Sequence, residues 1–110
     1  MGQAGFDYEG PQEMRACIEG ALRWVQDPQL GFNLLDAGLV YGVRVTDEVV
    51  HVRMALSSPC SAVSHVIVED VQAEVFDHLQ GGREVRVEVV TSPPWSTARM
   101  AVVPLRRRAA

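Results

Sequence analysis

A chain of 110 residues, 47% apolar and 22% charged, has the makeup of one ordinary globular domain, with room for a single two-layer core. Its formal net charge of −4 argues against non-specific attraction to nucleic acid, which needs a basic surface that neutralises phosphates. No apolar run approaches the roughly 20 residues of a membrane span, and the N-terminus lacks the features of a secretory signal, so a cytoplasmic protein is expected.

Residues 1–10 hold three glycines and no sustained periodicity, and they read as a flexible lead-in. Pro11 suits a helix start, and from residue 12 to 26 Met14, Cys17, Ile18, Ala21, Leu22 and Val25 recur at helical spacing. This puts Cys17 on the core side, as a small hydrophobe. Asp27 and Pro28 are expected to stop the helix, because the residue before proline is pushed away from helical angles. A short strand over residues 32–35 is an option. Residues 38–46 alternate, with Leu39, Tyr41, Val43 and Val45 on one face, and a second strand follows with Val50, Val52, Met54 and Leu56 opposite His51 and Arg53. Residues 57–59 break that strand. A second long helix is expected over residues 60–79 from the spacing of Val63, Val66, Ile67, Val71, Val75 and Phe76, with Gly81 and Gly82 ending it. Val85, Val87 and Val89 then alternate with charged residues in a third strand, and a helical turn over residues 96–100 follows the two prolines and Trp95.

The expected architecture is α+β: a two-layer domain in the order α-β-β-α-β, with a mixed sheet of three to four strands and both long helices on one face. The domain spans residues 11–103. Residues 104–110 form a basic tail whose three arginines read as a solvated end.

Chemistry concentrates where the second strand meets the second helix. With Ser58 as N-cap and Pro59 in the first helical position, Cys60 falls in the first turn among unpaired backbone amides. Those donors and the helix dipole favour a thiolate, the form that binds metals and attacks electrophiles. Cys17 and Cys60 show no CxxC spacing, so neither a zinc site nor a disulfide framework is implied. His65 is about 140° from Cys60 around an ideal helix, which disfavours a cysteine–histidine pair. His51 on the polar strand face and His78 near a helix end read as surface residues. Asp36, just before the first long strand, is a better companion for Cys60. No phosphate-binding loop, HExxH or paired-carboxylate pattern supports a hydrolase, kinase or dehydrogenase.

Four separated stretches resemble one family. Asp27, Pro28, Gln29, Leu30 and Gly31 resemble its DPELG segment, and Asp36, Ala37, Gly38, Leu39, Val40 and Tyr41 its DLGLVY segment. Ser58, Pro59 and Cys60 match its single-cysteine loop, and Pro93, Pro94, Trp95 and Ser96 its DPPW segment. The chain is similar to the PaaD- and SufT-like metal-sulfur cluster assembly factors, α+β domains that help mature iron-sulfur proteins rather than turn over a metabolite. It departs from them at Ala37, Ser57, Ser61 and Ser92, where the family commonly has leucine, threonine, proline and aspartate.

The resemblance implies a non-enzymatic accessory factor. On that resemblance Cys60 is expected as its functional thiol and transient ligand to an iron-sulfur cluster, with Asp36, Gly38, Ser58, Pro59 and Trp95 shaping the site. One cysteine cannot supply the four thiolates such clusters usually take. A homodimer, a cluster carrier or a client iron-sulfur protein must complete the set. Two alternatives remain open: a metal-free module that docks on a pathway enzyme, and an enzyme using Cys60 as nucleophile, for which the sequence supplies no evident base.

Overall fold

A computed structural model of the chain describes residues 6–57, 61–80, 82–91, 94–96 and 99–100. Its elements run β1 (Asp7–Glu9), α1 (Gln12–Arg23), β2 (Gln26–Asp27), β3 (Phe32–Asn33), β4 (Val40–Val45), β5 (Val49–Met54), α2 (Ser61–His78) and β6 (Glu84–Val89). Four strands form a mixed sheet in the order β1-β4-β5-β6, and β2 and β3 pair separately. The centre is the antiparallel pair β4–β5, and each edge strand joins its neighbour in parallel. The expected α+β class, with two helices against a four-stranded mixed sheet, is the one observed.

Alternation positions the core. Val43 stands opposite Val52 and Val45 opposite Val50, and these four share one buried cluster with Ile18, Ala21 and Leu22 of α1 and Ile67, Val71 and Val75 of α2. Each fully buried aliphatic side chain in this set stabilises the fold by about 1.5–3 kcal/mol. The opposite face of the sheet carries Arg44, His51, Arg53, Arg86 and Glu88 in register. An ion pair joins Arg44 Nε to Glu9 Oε1 (2.8 Å) across it, and His51 Nε2 lies 3.4 Å from Glu88 Oε1.

Several elements differ from expectation. The lead-in expected over residues 1–10 contributes β1, whose Tyr8 stands opposite Val43 and whose Glu9 stands opposite Arg44. Helix α1 ends at Arg23, three residues before the expected stop, because Asp27 is drawn into pairing with Phe32. Val25 is buried as expected, but from a turn rather than the helix. The optional strand at residues 32–35 exists only as Phe32–Asn33 and lies outside the main sheet.

In β4 the register shifts between Val40 and Gly42, so Tyr41 is a bulged residue rather than part of a simple alternation. The apolar stripe of α2 is narrower than its sequence suggests. Ile67, Val71 and Val75 form the seam at four-residue spacing, while Val66 and Phe76 are 55% and 48% exposed. The left-handed position after α2 is taken by Gln80 (φ 61) as well as Gly82. Gly81, the other expected terminator, lies outside the described residues, as does the basic tail. In the stretch expected to be a helical turn, the Arg99 N–H donates to the Ser96 carbonyl (3.0 Å). Among the described residues no helix is long and apolar enough to cross a membrane.

Candidate functional site

The loop between α1 and β4 is built around a buried carboxylate. Pro28 keeps Asp27 extended, and Asp27 Oδ1 then accepts the backbone N–H groups of Gln29 (2.8 Å) and Leu30 (3.1 Å) in a tight turn. Its other oxygen, Oδ2, accepts the hydroxyl of Ser57 at 2.6 Å, a short bond of the charge-assisted kind. Asp27 is only 1% exposed, and these bonds satisfy a charge that burial alone would make costly. Ser57 lies three positions after the end of β5 and three before Cys60 in the sequence. The loop and the cysteine-bearing segment are thus tied at one point by a side chain from each.

Two main-chain bonds extend that tie. The Leu34 N–H donates to the Val25 carbonyl (3.0 Å), closing the loop on itself, and the Ala55 N–H donates to the Leu39 carbonyl (2.8 Å), fastening the end of β5 to the start of β4. On the far side of residue 39 lies a latch from the C-terminal part of the chain. Trp95 Nε1 donates to the Ala37 carbonyl (2.7 Å), and Arg99 Nε donates to the Gly38 carbonyl (3.1 Å). The Arg99 guanidinium also lies 4.1 Å from the centroid of the Tyr41 ring, a cation–π contact. Gly38 has φ 70, and its missing Cβ is what lets the Arg99 backbone approach.

The site residues expected from sequence therefore divide. Gly38 and Trp95 come together through the 37–38 backbone. Asp36 lies in the same loop but turns toward α1: its Oδ2 accepts Asn33 Nδ2 (3.0 Å) and its Oδ1 meets Arg23 Nη1 (3.4 Å). The carboxylate bonded to Ser57 is that of Asp27, which the sequence alone presents as a helix stop. Ser58, Pro59 and Cys60 lie outside the described residues.

The remaining polar candidates stand elsewhere. The Cys17 thiol donates to the His78 carbonyl (2.9 Å), bridging α1 and α2 as the packing role implies. His78 Nδ1 donates to the Glu74 carbonyl (2.9 Å). His65 is exposed on α2. Among the described residues no group of three or more His, Cys, Asp and Glu side chains could hold a metal ion. Two concavities, of about 490 Å³ over Gly42 on the open sheet face and about 550 Å³ between α2 and β6, are lined by neither Asp27 nor Ser57.

Comparison with known proteins bears on what this arrangement serves. The chain is 32% identical over 91 residues to the Fe-S protein maturation auxiliary factor YitW of Bacillus subtilis, covering 82% of this chain and 88% of that protein. It is 36% identical over 78 residues to the Fe-S protein maturation auxiliary factor SufT of Staphylococcus aureus, covering 70% of this chain and 88% of the relative. The crystal structure of a domain of unknown function, DUF59, from Bacillus anthracis superposes with a TM-score of 0.78 at 27% identity over 89% of this chain and 93% of that one. The sequence profile described as iron-sulfur cluster assembly protein matches residues 15–89, a span that holds the Asp27 loop, Ser57 and Cys60 together, and the chain belongs to that family.

Proposed function

We propose that this protein is an accessory factor in iron-sulfur protein maturation, handling the cluster as cargo, with Cys60 as its transient thiol contact. The observation that carries the reading is the bond between buried Asp27 and Ser57, three positions before Cys60 in the sequence of a chain of this family. A single thiolate leaves the other ligand positions to a carrier or client, as transfer requires: a site that saturated the cluster would retain it. In this reading the chain turns over no substrate of its own and works in a reducing compartment such as the cytoplasm, where Cys60 stays a thiol. Asp27 holds Ser57, and the Trp95–Arg99 latch holds the loop at residues 37–38.

The test is transfer under anaerobic conditions to an apo iron-sulfur protein whose activity reports cluster insertion. Wild type is expected to accelerate recovery, and Cys60→Ser to leave it at the rate without the factor. Full acceleration by Cys60→Ser would favour the metal-free docking module, and no acceleration by wild type would remove the reading. Alkylation of the folded protein at neutral pH gives a separate check. Cys60 is expected to react faster than Cys17, whose thiol is engaged between the helices. Equal labelling rates would contradict the assignment of Cys60 as the reactive thiol.

A further inference from the structure

Among the described residues the outer edge of β6 is the least protected part of the sheet. The N–H groups of Glu84 and Val90 donate to β5-side carbonyls, those of Glu48 (2.9 Å) and Met54 (2.8 Å). By alternation the peptide groups of Val85, Val87 and Val89 point away from the sheet. Among the described residues only one of these groups has a partner: the Val85 carbonyl accepts Gln72 Nε2 from α2 at a long 3.4 Å. Beside this edge Phe76 and Val89 are 48% and 42% exposed. The opposite edge, β1, is three residues long, too short to offer a comparable ladder.

We propose that β6 pairs antiparallel with β6 of a second copy about a two-fold axis through Val87, joining two four-stranded sheets into one of eight. The charge pattern Glu84, Arg86, Glu88 selects this register. With Val87 on the axis, Arg86 stands opposite the second copy's Glu88, the relation occurs twice by symmetry, and Val85 meets the second copy's Val89 on the helix side. Centring on Arg86 would oppose Arg86 to itself and Glu84 to Glu88, and centring on Glu88 would oppose two glutamates. Centring on Val85 also matches opposite charges but overlaps only residues 84–86 of each strand. The favoured register uses the outward peptide groups of Val85, Val87 and Val89, releases Gln72, and covers Val89. In the single chain Arg86 is held by Glu84 of its own strand, at 3.0 Å and 3.2 Å, on an exposed surface where it is free to share its donors. The inference is independent of the functional reading, since the edge would be the same in a chain with no part in cluster maturation.

Sedimentation of the full chain from micromolar to millimolar concentration tests it. Wild type is expected to pass from one-chain to two-chain mass. Arg86→Glu and Glu88→Arg should each weaken self-association by about tenfold or more, since each turns two attractive cross-strand pairs into repulsive ones. An equimolar mixture of the two variants should dimerise again, because in the mixed pair every carboxylate at positions 86 and 88 once more faces a guanidinium. Val87→Pro removes an outward N–H without touching the β5 ladder, and should give a folded monomer by circular dichroism. A wild type that stays monomeric throughout, a dimer indifferent to Val87→Pro, or a mixture no stronger than its components would overturn the proposal.

Discussion

Gly38→Ala is expected to lower the free energy of unfolding by about 3–4 kcal/mol, near the upper end for a single substitution. Two effects combine. The left-handed conformation at φ 70 costs a residue with a Cβ roughly 1–2 kcal/mol. The added atom would also overlap the Arg99 carbonyl oxygen and stand 2.6 Å from its carbonyl carbon, so backbone and not a flexible side chain must retreat. Retreat breaks the Arg99 Nε bond to Gly38 and loosens the indole bond to Ala37. Because the overlap is with main chain, Arg99→Ala should not rescue Gly38→Ala in the double variant. Urea denaturation followed by circular dichroism measures the loss; a change within the ordinary surface range of about 0.5 kcal/mol would show that the latch does not press on residue 38.

Asp27→Ala is the second large effect, at about 2–3 kcal/mol. It strips acceptors from the Gln29 and Leu30 amides and from the Ser57 hydroxyl, and hydrogen bonds to a charged partner contribute about 1.5–3 kcal/mol each before relaxation and water recover part of the loss. Asp27→Asn should lose only about 1 kcal/mol, since its carbonyl can still accept the two amides and its NH2 can donate to the Ser57 oxygen. The functional readout separates a positioning role from a merely structural one. At a temperature where all variants are folded, Asp27→Ala should slow cluster transfer and alter Cys60 alkylation while leaving Cys17 labelling unchanged. Wild-type Cys60 behaviour in folded Asp27→Ala would detach the carboxylate from the cysteine segment.

Periodicity made α1, α2, β4, β5 and β6 readable, because each is long enough for its repeat to show and buries one face. The rest depends on contacts distant in sequence. Three residues of β1 carry no repeat, and what makes them a strand is β4, with Asp7 set beside Gly42. Val66 and Phe76 fit a helical stripe as well as Ile67 and Val75 do, and only the crossing of α1 and β6 decides which are covered. The carboxylate of Asp27 was hidden for a similar reason. An aspartate before proline reads as a turn, and the signal for the turn was present in Asp27, Pro28 and Gly31, but its second partner lies across the fold on Ser57. Trp95 and Gly38 were named from resemblance alone, and their meeting through Ala37 and Arg99 is a property of the fold that no spacing rule conveys.

Both edge strands are added in parallel, and this sets an expected order of assembly. The β4–β5 hairpin closes through residues 46–48 and can form locally, on the microsecond scale of about 1–10 μs typical of hairpins. Each edge must instead wait for a helix-bearing crossover, and the registers Asp7↔Gly42 and Val49↔Glu84 enclose equally long stretches of chain. Equal closure entropy leaves packing to break the tie. Six residues of β6 close over the α2 seam, whereas three residues of β1 gain Tyr8 and little else. Nucleation therefore belongs to β4, β5, α2 and β6, with β1 condensing last and opening first; pulse-labelled amides should become protected at Val52 before Glu9, whose N–H faces β4, and simultaneous protection would show that the chain folds without this hierarchy.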